Sequence, residues 1–357
     1  MGKRFWVAPI APIAALAALA VLAILAILAV LVLGLVIGFG TSDPPPVMRS
    51  IREGTMKIDR ADMPRLSFFT ARDGILLAYR MYPAFTRVED VDAPQPSAAP
   101  SVVAVLLHRA SASSRSMHAL GRALSQGGVA VLSLDIRGHG DSGVHGDIAY
   151  TGQLEDDMED FLAQAKKNHP DAKFVLIGHG AGGGLALRIA GGKLGGLFDR
   201  HVLLAPFLSY NSASQRPESG GWLSVSTPRL LVRRLLDRMH LHWFEGLQVV
   251  SFAIDQADHG ILVPSYSYRL MKNMQPHAGY LGDVRRSPAP VWVIAGQKDE
   301  TFFAEGFAAA LSSVLSKVQV RVLPGIDHMG MVTQRAALDE VLALTLQLRG
   351  VETPPAQ

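Results

Sequence analysis

The stretch LIGHGAGGG, Leu176–Gly184, constrains the fold more than any other part of the chain. An apolar run meets glycine with no residues left for a loop. A strand must therefore turn sharply and enter a helix at once. Two architectures use such a unit. One is the phosphate loop of a dinucleotide domain, whose G-x-G-x-x-G spacing is met by Gly178, Gly180 and Gly183. The other is the G-x-S-x-G elbow that presents a nucleophile, met here with Gly180 at the serine position. The order of neighbouring elements separates them. A dinucleotide loop follows the first strand of its unit, and an acid about 20 residues on closes the next strand. Here several strand patterns come first, and Asp199 precedes the strand HVLLA instead of ending it. The dinucleotide reading is disfavoured.

The rest of the pattern alternates. Strands are expected at Leu66–Thr70, Ile75–Met81, Val102–Leu107, Val129–Leu134, Phe174–Ile177, His201–Leu204, Val291–Ala295 and Val318–Leu323. Helices are expected at Arg115–Gln126, Thr151–Asn168, Ala181–Ala190, Phe303–Leu315 and Gln334–Leu348, with a loop at Asp92–Pro100. The first two strands leave no room for a helix and form a hairpin. The others predict a mostly parallel sheet covered on both faces, an α/β fold. From about residue 208 to 288 no clean strand is legible, and an insertion of helices is expected there, where a lid would sit. Within it Thr227 and Pro228 suggest an N-cap and first helical position. Leu231, Leu235 and Met239 form an apolar stripe, with Arg229, Arg233 and Arg238 largely off it.

The N-terminus is a separate unit. Behind Lys3 and Arg4, residues 5–39 carry no charge, and Ile13–Phe39 exceeds the roughly 20 apolar residues a bilayer requires. The run is also longer than the about 7–15 residues of a signal-peptide core. It reads as an uncleaved single-pass anchor over residues 1–40, although Gly38 and Gly40 resemble a small-residue cleavage site. Lys3 and Arg4 predict a cytoplasmic N-terminus and an extracytoplasmic main domain. A proline-rich linker occupies 41–64, the main domain 65–350 and a tail 351–357. The net charge of +3 gives no reason to expect nucleic acid, and the absence of cysteine removes disulfides and thiolate chemistry. Nothing in the sequence sets an oligomeric state.

Further residues complete the elbow reading. After the expected strand Val291–Ala295 comes GQKDE, which puts Asp299 at a strand's C-terminal end. After Val318–Leu323 comes PGIDHMGM, which puts His328 at another. Parallel strands bring these ends and the elbow to one edge. With VLLHRASASSRSM and LDIRGHGDSG after earlier strands, residues 65–348 resemble the α/β-hydrolase fold. The branch of lysophospholipases, monoacylglycerol lipases and serine aminopeptidase-type hydrolases is the nearest likeness. The resemblance implies an acyl or lipid-like ligand and no cofactor. His328 would be the base, Asp299 its partner and Gly180 the nucleophile position, with the N–H groups of Ala110 and Ala181 as the oxyanion hole.

Two departures stand against ordinary hydrolysis. Gly180 offers no nucleophilic atom, and Arg109 stands where the family usually has glycine in a His-Gly pair. Four outcomes follow: an inactive member that binds a ligand, a slow hydrolase or a non-hydrolytic enzyme in which Asp299 and His328 act on water or an ionisable substrate, an ordinary esterase with an isolated glycine variant, or a nucleophile supplied by Ser111 or Ser113. The last is disfavoured, because serines are common in solvated loops. His179 is expected to pack and hydrogen-bond beneath the elbow. His240 and His242 lack a carboxylate cluster, so no metal is expected. Asp327 points away from its neighbour His328, so Asp299 is the better partner. Arg229, Arg233, Arg234 and Arg238 read either as a solvated helix face or as a basic surface toward a membrane.

Overall fold

Apolar runs bounded by turn residues become the strands. The computed structural model describes residues 10–86, 95–97 and 99–350. Lys3, Arg4, part of the Asp92–Pro100 loop and the 351–357 tail lie outside the described residues. Strands β1 (Leu66–Thr70) and β2 (Leu76–Tyr82) form the expected antiparallel hairpin, beside a small pair, β3 (Phe85–Thr86) and β4 (Gln95–Pro96). Next come β5 (Val102–Leu107), β6 (Ala130–Leu134), β7 (Lys173–His179) and β8 (Arg200–Leu204). An insertion follows, carrying β9 (Leu223–Val225), β10 (Gln248–Phe252) and β11 (Ser265–Ser267). The core resumes with β12 (Val291–Gly296) and β13 (Val318–Leu323). The eight-stranded sheet runs β1-β2-β6-β5-β7-β8-β12-β13, parallel from β6 onward. Every residue of β5 and β12 is buried, as unbroken apolar strands require when helices cover both faces.

The described helices are α1 (Ile10–Phe39), α2 (Arg49–Met56), α3 (His118–Gln126), α4 (Gln153–Asn168), α5 (Ala181–Ala190), α6 (Thr227–Arg238), α7 (Tyr268–Asn273), α8 (Tyr280–Arg286), α9 (Gly306–Ala310) and α10 (Arg335–Leu346). The helix expected over Phe303–Leu315 is broken. Leu311 leaves helical geometry at φ −105° and ψ 7°, and a 3-10 turn follows at Ser312–Val314. Paired serines there compete for backbone hydrogen bonds and weaken the helix.

The insertion corrects the sequence reading in three respects. It is not purely helical: β9, β10 and β11 form an antiparallel sheet, hidden from pattern by strands of three to five residues and a register shift between Gln248 and Val250. The N-cap of α6 is Ser226 rather than Thr227, its hydroxyl accepting from the Arg229 N–H at 3.3 Å. The orientation of α6 also inverts the expected pattern. Leu231, Leu235 and Met239 are each more than half exposed, while Arg229 and Arg233 are buried. Arg233 survives burial because backbone oxygens and carboxylates pair with its two terminal nitrogens, while its Nε has no partner. It donates to Leu241 O at 3.2 Å, Trp243 O at 2.5 Å and Asp237, with Glu245 at 3.5 Å and the Tyr268 ring 4.9 Å away.

Over Ala14–Phe39, α1 has a mean hydropathy of 3.3 and is unburied throughout. A spanning anchor and an export signal both meet that description. Its last turn is tied to the insertion. Arg229 donates to Ile37 O at 2.5 Å, and the Ser226 hydroxyl donates to Gly40 O. The last four carbonyls of a helix lack partners within it, and a cation there also meets the negative end of the helix dipole.

Candidate active site

Three C-terminal strand ends build the site. At the end of β7, Gly180 takes φ 55° and ψ −118°, and α5 begins at the next residue. Glycine adopts that backbone with little strain. The turn is fastened by Gly180 N–H to Leu204 O at 2.9 Å and Phe207 N–H to Gly180 O at 2.9 Å. Close approach also demands Gly182, where a Cβ would lie 2.3 Å from His108 O. The dinucleotide alternative finds no support. Asp199 is occupied by the Phe174 N–H at 2.8 Å and by Lys173 at 3.3 Å.

Asp299 follows β12 and His328 follows β13. The His328 Nδ1 lies 2.8 Å from Asp299 Oδ2, and both residues are buried. The opposite carboxylate oxygen accepts from the Thr301 N–H at 2.8 Å, the Thr301 hydroxyl at 2.7 Å and the Phe302 N–H at 2.9 Å. Burial pushes the Asp299 carboxyl up, but attraction to His328 and the hydrogen bonds from His328 and Thr301 outweigh it. The carboxyl is held below its ordinary range. With Nδ1 turned to Asp299, Nε2 faces the elbow. A Cβ placed on Gly180 would lie 3.4 Å from His328 Nε2. Asp327 is occupied elsewhere, accepting from the Gly330 N–H at 2.6 Å.

His179 sits beneath this pair. Its ring stacks on His328 with centroids 4.4 Å apart, and its Nε2 lies 3.1 Å from His328 O. Burial and then the neighbouring His328 hold it neutral, well below the usual histidine range. It is thus a support for His328, as well as for the turn expected from sequence.

Ala110 and Ala181 line the same cavity, and among the described residues neither N–H has a protein acceptor. The cavity is mostly apolar, with Phe207, Trp222, Val250, Phe252 and Met274 among its walls. The insertion supplies much of that wall. Arg109 lines it too, and a Cβ on Gly180 would lie 3.1 Å from the Arg109 Cβ. The positive φ of this loop falls on Ser111 (68°), not on Arg109, so Arg109 acts by bulk rather than by backbone strain. Its guanidinium lies 4.7 Å from the Trp222 ring. Ser111 donates its hydroxyl to Val263 O at 2.7 Å, and neither Ser111 nor Ser113 lines the cavity. Outside the site, His242 lies 3.1 Å from Glu245, and no metal-competent cluster occurs among the described residues.

Sequence reasoning did not find Thr301 or Trp222. Thr301 directly follows GQKDE, so its proximity to Asp299 was available. Trp222 belongs to the insertion, whose pairing no local pattern reveals.

Comparison with known proteins agrees with this geometry. A family model described as serine aminopeptidase, S33, matches residues 98–333. A monoacylglycerol lipase of Mycolicibacterium smegmatis (strain ATCC 700084 / mc(2)155) is 26% identical over 271 residues, covering 69% of this chain and 88% of that protein. Among solved structures, a monoacylglycerol lipase of Paleococcus ferrophilus superposes with a TM-score of 0.54 at 16% identity, over 76% of this chain and 98% of that one. A soluble variant of monoglyceride lipase from Saccharomyces cerevisiae, in complex with a substrate analog, gives 0.55 at 19% identity, over 83% and 98%. At these identities the structural likeness speaks for the fold.

Proposed function

The chain belongs to the serine aminopeptidase S33 family of α/β-hydrolase fold, and from that premise we propose a membrane-anchored acyl-ligand-binding member with lost or strongly reduced ester hydrolysis. One observation carries the reading. His328 Nε2 stands 3.4 Å from where a Gly180 Cβ would be, with Asp299 behind it, yet Gly180 supplies no atom to attack. His328 is read as the base, Asp299 as its orienting partner, Gly180 as the vacated nucleophile position, and the Ala110 and Ala181 N–H groups as oxyanion donors. The apolar cavity would hold an acyl chain, with the insertion as its lid.

Anchoring is supported by α1 and by α6 beside its last turn. The exposed Leu231, Leu235, Met239, Trp243 and Phe244 form an apolar surface suited to the bilayer that α1 would enter. The proposed topology keeps the N-terminus cytoplasmic and the main domain outside. A second reading rests on the intact Asp299–His328 pair, which would activate water directly, a contribution of about 10²–10⁴-fold.

Turnover separates the readings. The full chain in neutral detergent is assayed on monoacylglycerol and short acyl esters as native and His328→Ala forms, alongside fatty-acid binding. Binding without turnover is the expected result. Turnover abolished by His328→Ala would install the water mechanism instead, and absence of both would refute an acyl site.

A further inference from the structure

Beside the acyl cavity lies a second one, with Ile51, Arg109 and Trp222 lining both. Its basic groups are Arg52, Arg60, Arg109 and Arg115, and its carboxylates are Asp255 and Asp258. Arg52 takes both acids, at 3.1 Å and 3.8 Å. No carboxylate lies within ion-pair distance of Arg60, Arg109 or Arg115 among the described residues.

Arg109 is the informative member, being 2% exposed. Its protein partners are Ala110 O at 3.1 Å, the Thr55 hydroxyl at 3.4 Å and the Trp222 face, and its Nε has none. The nearest carboxylate to act on it, Glu300, stays beyond ion-pair range and instead accepts from the His328 N–H at 3.0 Å. A buried cation without an anion is costly unless something neutralises it. Burial pulls this guanidinium down to about 10, against the opposing pull of Tyr266 and Glu300. Arg60 donates to Thr55 O at 2.6 Å and is disfavoured as a cation by burial and then by Arg115. Like charges gathered around one cavity are stabilised by an anion placed among them.

We propose that this second cavity binds a phosphate group through Arg109, Arg60 and Arg115, with an attached apolar portion against Ile51, Ile254 and Leu262. Planar guanidinium forks suit phosphate oxygens, and three cations exceed what a single carboxylate requires. The cavity's wall begins at Val47, only eight residues after α1 ends at Phe39. Both a membrane-lipid phosphate and a soluble phosphate therefore fit the chemistry. The proposal is independent of whether the acyl site turns over.

Calorimetry on the full chain in neutral detergent tests it, using inorganic phosphate, a lysophosphatidate and a monoacylglycerol of the same chain length. Native protein is expected to bind the lysophosphatidate at least tenfold more tightly than the monoacylglycerol. Arg60→Ala/Arg115→Ala is expected to remove that preference. Competition by inorganic phosphate at comparable concentration identifies a soluble source, and its failure to compete identifies a lipid one. Equal affinity for charged and neutral lipid, or a preference that survives Arg60→Ala/Arg115→Ala, overturns the proposal. Arg60 and Arg115 carry the test because both are less buried than Arg109, where Arg109→Met risks the fold.

Discussion

Restoring a side chain at the elbow has a cost and a gain that both follow from geometry. Gly180→Ser places an L-residue at φ 55° and ψ −118°, a backbone that costs roughly 1–3 kcal/mol outside glycine. A less disordered unfolded chain returns about 0.4–1 kcal/mol. The new Cβ also lies 3.1 Å from the Arg109 Cβ, which must yield slightly. The net expectation is a loss of about 1–2 kcal/mol, read by denaturant titration in detergent. In exchange, the Cβ sits 3.4 Å from His328 Nε2, and the hydroxyl comes within reach of the base. Removing the serine of such a site costs roughly 10⁶-fold in turnover. Gly180→Ser is expected to recover at least about 10²-fold of ester turnover, the lower range of general-base assistance. Gly180→Ser/Arg109→Gly is expected to recover more. Release of p-nitrophenol from a short acyl ester measures it. If both variants fold and neither exceeds the native rate, Gly180 is not the nucleophile position.

Other expectations concern stability and surface. Arg233→Ala leaves the Leu241 and Trp243 carbonyls without this donor and takes one partner each from Asp237 and Glu245, and is expected to destabilise by about 1–3 kcal/mol in a melting series. Leu231→Asp/Leu235→Asp alters exposed positions only, so stability in detergent should change by less than about 0.5 kcal/mol per site. If α6 faces lipid, the same variant becomes more accessible to protease in reconstituted vesicles; unchanged accessibility counts against that orientation. Acid should destabilise the fold in a defined window. His108 and His201 are lowered to about 4 by burial, and His139 and His179 lie well below their ordinary value. The unfolded chain binds these protons near pH 6.5 and the folded chain does not. Stability is therefore full above pH 6.5 and falls as pH drops toward 4, by up to about 1.4 kcal/mol per pH unit for each histidine. A flat denaturant midpoint from pH 7.5 to 5 would refute that.

The core and the site were legible for one shared reason. Apolar strands buried on both faces announce themselves as runs, and parallel order delivers Gly180, Asp299 and His328 to one edge without knowledge of contacts. The insertion was not legible, because β9, β10 and β11 pair residues far apart in sequence and are too short to show a period. The arginines of α6 were read as a solvated or membrane-facing set, but backbone carbonyls hold Arg229 and Arg233 inside and leave Leu231, Leu235 and Met239 exposed. Arg109 was noticed as a departure, but its place between two cavities depends on Trp222 and α2, which only the fold brings together.

The most direct measurement is the intact mass of the native full chain after incubation with an activated acyl ester, quenched in acid. A site without a nucleophile at Gly180 predicts an unchanged mass, with a single acyl addition appearing only in Gly180→Ser. A stoichiometric acyl adduct on the native chain that disappears in His328→Ala would contradict it.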